Sequence, residues 1–236
     1  MYITISNASL ALTIDIQGAE TRSLKDVHTG TEYFWQGDPE FWTGTNPILF
    51  PACGGCWNVT YRHGGREYTM PKHGFVRKQP WTVTRQTDDS VTLAYSPTAE
   101  ELEQFPFPCR ISVTYQLVGR KMLVQFAVEN LGESTMYFQM GGHPGLNLPD
   151  YDPNRPISGY IALEGQPDSV LRATTQGCTE PERFPFPQER PGYVPICVDT
   201  FANEALIFDN HQITAATIHR TDGTPLARVE SSAPAW

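Results

Sequence analysis

At 236 residues with a formal net charge of −9 and no Lys/Arg-rich run, the chain lacks the basic footprint that a phosphate backbone demands, which argues against a nucleic-acid partner. Hydrophobic residues make up 39% and charged residues 18%, while 19 Gly and 20 Pro favour many short strands joined by tight turns over a helical bundle. No stretch approaches membrane-spanning length, and the five cysteines, odd in number and mostly isolated, fit reduced thiols; a cytoplasmic location with no membrane partner is expected.

The N-terminus, Met1-Tyr-Ile-Thr-Ile-Ser, alternates apolar and polar from its third residue and reads as a strand, not as a secretory leader. The same period-two alternation appears at residues 2–6, 11–16, 81–85, 91–95, 110–117 and 121–130, most of them bounded by Gly, Pro, Asn or Asp. The best helical hint, residues 98–104, is short and ends against Pro106. Residues 148–156 carry Pro149, Asp150, Asp152, Pro153, Asn154 and Pro156 and predict a surface loop; residues 179–195, rich in Pro and charge, predict a second. Neither is a Gly/Ser linker and no internal repeat occurs. The prediction is one all-β domain over residues 1–236 with few short helices, folded as a sandwich or closed barrel so that its sheet edges are hidden.

Two of the six histidines stand in turn contexts suited to a site. His73 lies in Lys72-His73-Gly74-Phe75 after Pro71, and His143 lies in Gly142-His143-Pro144-Gly145. Glycine permits unusual backbone angles and close approach of a ligand, and proline fixes the turn, so such neighbours can aim an imidazole into a cleft. The plainer alternative, a hydrogen-bonded histidine near a strand end, stays open for each. Arg77, four residues after His73, can project toward the same cleft, where its fork suits sugar hydroxyls or a phosphate; a surface arginine is an equal alternative. Cys53-Gly-Gly-Cys56 has C-x-x-C spacing, but neither a second pair nor a βαβ setting accompanies it, so two ordinary thiols in a glycine turn are expected, with no metal. Phe105-Pro-Phe-Pro108 and Phe184-Pro-Phe-Pro187 are expected to pack their aromatic rings. Neither a G-x-S-x-G elbow nor a phosphate-cradling P-loop is present.

Three runs in the first half carry a resemblance: Tyr33-Phe-Trp-Gln-Gly-Asp-Pro-Glu-Phe-Trp42, Asn46-Pro-Ile-Leu-Phe-Pro51 and Tyr68-Thr-Met-Pro-Lys-His-Gly-Phe-Val-Arg77. Phe107-Pro-Cys-Arg-Ile-Ser-Val-Thr-Tyr-Gln-Leu117, Val128-Glu-Asn130 and Phe138-Gln-Met-Gly-Gly-His-Pro-Gly-Leu-Asn147 continue it. In order and spacing these runs resemble the bacterial aldose 1-epimerase, or galactose mutarotase-like, family. That resemblance implies a β-supersandwich whose open cleft binds a monosaccharide and interconverts its α and β anomers without a cofactor. It further implies that His143 protonates the ring oxygen, that His73 hydrogen-bonds it, and that a glutamate takes the proton of the anomeric hydroxyl. In Phe201-Ala-Asn-Glu-Ala-Leu-Ile-Phe208, Glu204 stands where the family usually brings an aspartate to the sugar hydroxyls.

The sequence departs from the family pattern at its end. Ser231-Ser-Ala-Pro-Ala-Trp236 resembles the strand that leads into the last quarter of the domain, so the family's C-terminal segment is expected to be missing. The glutamate's Ile-Glu-Pro-Trp-like segment is not found in the 236 residues. The expectation is therefore a hexose 1-epimerase whose base is not identified. The alternatives are a non-catalytic carbohydrate-binding or sensing protein, and a hexose-6-phosphate 1-epimerase using Lys72, Arg77 and Lys78. A β-sandwich with no sugar site would leave the two histidines far apart, so their separation decides between the readings. The sequence does not set an oligomeric state.

Overall fold

The alternation seen along the chain becomes paired strands. The computed structural model describes residues 1–174, 177–186, 192–202 and 205–236, in two compact units, Met1–Asn147 and Leu148–Trp236.

In the first unit β1 (Tyr2–Ser6), β2 (Leu10–Asp15) and β3 (Glu20–Asp26) form an antiparallel sheet in that order. Ile3, Ile5, Leu10, Leu12 and Ile14 turn inward, while Tyr2, Thr4 and Ser6 are exposed. The two-residue β4 (Ile48–Leu49) comes next, followed by the hairpin of β5 (Thr60–His63) and β6 (Arg66–Thr69). β7 (Thr82–Gln86), β8 (Ser90–Tyr95), β9 (Cys109–Val118) and β10 (Lys121–Asn130) make the second large sheet, ordered β10-β9-β8-β7. In β9, Cys109, Ile111, Val113, Tyr115 and Leu117 are buried, and Arg110, Gln116 and Val118 are exposed. A one-residue slip would reverse every one of these, so burial fixes the register. β11 (Gly141–Gly142) pairs antiparallel with β4.

The short helix read at residues 98–104 is α1 (Ala99–Gln104). Thr98 Oγ1 accepts the Glu101 amide at 3.3 Å and the Glu101 carboxylate accepts the Thr98 amide at 2.8 Å, a reciprocal cap that satisfies two otherwise orphaned donors. The Tyr95 hydroxyl donates to the same carboxylate, and burial pushes the Tyr95 phenol above its ordinary value. The helix ends at Phe105, before Pro106. Phe105 and Phe107 enter the core as expected, with Phe50 against Phe105 at 5.6 Å edge to face. Each fully buried ring of this kind stabilises by ~1.5–3 kcal/mol.

The second unit contains β12 (Gly159–Gly165), β13 (Ser169–Ala173), β14 (Thr179–Pro185), β15 (Tyr193–Ile196), β16 (Ile213–His219) and β17 (Pro225–Glu230). Its sheet runs β15-β12-β16-β17, beside a β13-β14 hairpin. Val170, Phe208 and Ile213 form its core, with Phe184 and Phe186 packed on them and the Arg172 guanidinium 3.7 Å from the Phe184 ring centre. Residues 148–156 carry no strand or helix, as their composition predicts. Residues 179–195 correct the expectation of a loop: β14 and β15 occupy much of that span. Both lie at edges, where a proline without an N–H leaves the ladder intact, so Pro181, Pro185 and Pro195 do not exclude strands. Among the described residues no helix is long and apolar enough to cross a membrane.

Candidate active site

One stretch of chain, residues 45–54, holds both histidine motifs. It begins at a buried polar knot, where Glu20 Oε1 accepts the amides of Thr45 at 2.6 Å and Asn46 at 3.0 Å. Arg22 pairs with the other oxygen of Glu20 at 3.1 Å. A buried carboxylate so surrounded is satisfied, and it fixes where the stretch starts.

On one side of the stretch runs the second motif. The Gly145 amide donates to Thr45 O at 2.7 Å, and the His143 amide to Pro47 O at 3.1 Å. The β11–β4 pairing continues this contact, and the Gln139 amide reaches Pro51 O at 2.9 Å. Gln139 Oε1 in turn accepts the Cys53 amide at 2.9 Å. On the other side lies the first motif: the Phe75 amide donates to Phe50 O at 3.2 Å and the His73 amide to Gly54 O at 2.8 Å. A bridge between Phe50 and Gly74 brings these backbones together, and a Cβ on Gly74 would sit 2.0 Å from Phe50 O. Only glycine fits there, and its φ of 68° suits no other residue well.

The two imidazoles meet. Their ring centroids are 5.7 Å apart, with the planes inclined at 73°. Gly54 donates its amide to His73 Nδ1 at 3.1 Å, so the neutral ring of His73 carries its proton on Nε2 and offers a donor there. His73 itself has φ of 68°, a strained conformation that the bonds on either side of it hold in place. His143 is exposed and His73 half-buried. Their common location removes the reading in which the histidines are unrelated.

Arg77 sits on a single 3-10 turn, Val76–Lys78, and its Nη2 donates to the carbonyl of Lys72, next to His73, at 3.3 Å. Its Nε is buried without a hydrogen-bond partner. Glu204 lies outside the described residues. Cys53 and Cys56 are not joined in a disulfide, and burial of the Cys53 sulfur pushes its thiol up. Among the described residues no three His, Cys, Asp or Glu side chains are grouped to hold a metal ion. Sequence reasoning gave no role to Trp42, whose ring centroid lies 5.0 Å from that of His143.

The family model for aldose 1-epimerase matches residues 1–179. The chain belongs to the aldose 1-epimerase family. It is 38% identical over 192 residues to the chromosomal LacX protein of Lactococcus lactis subsp. lactis, a match covering 78% of this chain and 60% of that protein. The plasmid-borne LacX protein of the same organism matches to the same extent. The chain thus spans 60% of the length of the curated relatives it matches. Among solved structures, a galactose mutarotase-like protein from Lactobacillus casei superposes with a TM-score of 0.87 at 29% identity, over 94% of this chain and 76% of that one. A galactose mutarotase related enzyme from Lactobacillus acidophilus gives 0.85 at 29% identity, over 94% and 74%. The all-β, galactose mutarotase-like fold expected from the sequence is the fold of this member of the family.

Proposed function

We propose that this chain is a hexose 1-epimerase of the cytoplasm that interconverts α and β anomers by acid–base ring opening and closure, with no cofactor. Both units are read as parts of one mutarotase-like domain. The observation that supports this most directly is the pair of imidazoles 5.7 Å apart on one stretch of backbone.

In the proposed reaction protonated His143 gives its proton to the ring oxygen as the C1–O5 bond breaks. A carboxylate takes the proton of the anomeric hydroxyl, whose electrons form the aldehyde. Rotation about C1–C2 presents the other face, and the reverse transfers close the ring and return both protons. His73 donates from Nε2 to the ring oxygen as charge grows on it, a role that suits a ring whose Nδ1 is already engaged by Gly54. Arg77, and Glu204 at the place of the family's aspartate, are read as binding sugar hydroxyls.

A second reading is sugar binding without turnover, because two neighbouring imidazoles can hydrogen-bond a sugar without transferring a proton to it. Polarimetry separates the two. Freshly dissolved α-glucose, α-galactose and glucose 6-phosphate are followed to equilibrium with the wild-type chain and with His143→Ala. Acceleration over the spontaneous rate that disappears in the variant supports epimerase chemistry. A folded wild-type chain that binds hexose but leaves the rate at background refutes it in favour of binding alone.

A further inference from the structure

The second histidine motif has a neighbour that the acid–base reading leaves unused. The Trp42 indole lies against the His143 imidazole, centroids 5.0 Å apart and planes inclined at 48°. The His73 ring centroid lies 5.7 Å from that of the same imidazole, so exposed His143 has two ring neighbours.

Trp42 is itself held firmly. Its amide donates to Asp38 O at 2.8 Å, within a turn in which Asp38 Oδ1 accepts the Glu40 amide at 2.9 Å. Trp35 Nε1 donates to Trp42 O at 2.8 Å, and the Trp35 amide donates to Gly145 O at 3.0 Å, tying the indole's segment to the His143 motif. Two glycines make room. A Cβ on Gly44 would meet Trp42 Cζ2 at 2.6 Å, and one on Gly145 would meet Trp42 Cζ3 at 3.0 Å and Trp35 Cβ at 2.9 Å. The last residue of the Gly-His-Pro-Gly motif is therefore small where the indole passes.

An exposed histidine with two free torsions samples several orientations, and a proton donor acts only from those aligned with its acceptor. We propose that Trp42 is a positioning residue that braces the His143 imidazole in the orientation from which it meets the sugar ring oxygen. This rests on the reading of His143 as the acid; the bracing of the ring does not.

The test uses the full chain carrying Trp42→Leu or Trp42→Phe, with two readouts. The first is the order parameter of the His143 ring from 13C relaxation. It should fall clearly in Trp42→Leu and stay near wild type in Trp42→Phe. The second is mutarotation, where Trp42→Leu should lower kcat by about tenfold or more with KM changed less than about twofold, and Trp42→Phe should restore most of the rate. A Trp42→Leu chain with wild-type ring order, or one whose loss lies in KM, overturns the proposal. If the wild-type chain does not accelerate mutarotation, the epimerase reading fails and ring order alone decides whether Trp42 braces His143. Should Trp42→Leu fail to fold, Trp42→Met against Trp42→Phe makes the same comparison.

Discussion

Substituting alanine at three glycines should give three graded losses that follow from the backbone around each. At Gly142 a Cβ would meet nothing within 4 Å and φ is not positive, so the change should stay within ~0.5 kcal/mol. At Gly119 the space is also empty but φ is 57°, so only the left-handed strain appears, ~1–2 kcal/mol. At Gly74 φ is 68° and the new Cβ would lie 2.0 Å from Phe50 O, 2.4 Å from Phe50 C and 2.7 Å from Pro51 N. Those are backbone atoms and must be displaced, which also breaks the 3.2 Å bond from Phe75 to Phe50, a further ~0.5–1.5 kcal/mol. Strain and lost bond alone give ~1.5–3.5 kcal/mol, and the displacement adds to that. Urea unfolding followed by tryptophan fluorescence reads this as a fall in midpoint of about 0.5 M or more, given a slope of ~1–3 kcal/mol per M. The first unit holds Trp35, Trp42, Trp57 and Trp81, so the signal reports mainly on it. A Gly74→Ala chain as stable as Gly119→Ala would refute the reasoning.

Two further outcomes concern titratable groups. The Arg120 guanidinium, with the amides of Thr29 and His28, holds the Asp26 carboxyl far below its ordinary value of 3.8. The sign follows from linkage: a depressed carboxyl contributes stability that is present above pH 3.8 and lost as the pH falls through the folded value. The urea midpoint should drop steeply below about pH 4, and Asp26→Asn should start lower but flatten that drop; an unchanged slope would count against it. Among the thiols, hydrogen bonds from Thr200 and from the Asp199 amide hold Cys197 below its ordinary value, while burial pushes Cys109 up to about 11. Iodoacetamide at about pH 8 should modify Cys197 first and Cys109 last by peptide mass mapping, and equal rates would contradict this.

Much of the fold was legible because many strands present one face to the core and one to water. β9 shows this best, and alternation marks both ends of β9 and β10 to within a residue. β4 and β11 were not legible: two residues carry no period, and their pairing is created by tertiary register. β14 and β15 were misread because prolines suggest a loop until it is known that the strand lies at an edge. At the site, His73 and His143 stood out through their glycine and proline neighbours and through the family runs. Trp42 did not, because its relevance comes from apposition with residues far along the chain. Gly44 and Gly145 were a signal, but small residues announce a close approach without naming what approaches.

The holding of both motifs by residues 45–54 has a consequence for how such proteins can vary. The separation of the two imidazoles is set across a few rungs of hydrogen bonding, from Pro47 O to Gly54 O, and not along the chain that connects them. The sheet hairpin that turns at Gly119, between the two motifs in the chain, can lengthen or shorten at its tip without moving one ring relative to the other. Insertions are therefore tolerable at that hairpin tip, whereas adding or removing a single residue within 47–54 would put the histidines out of step.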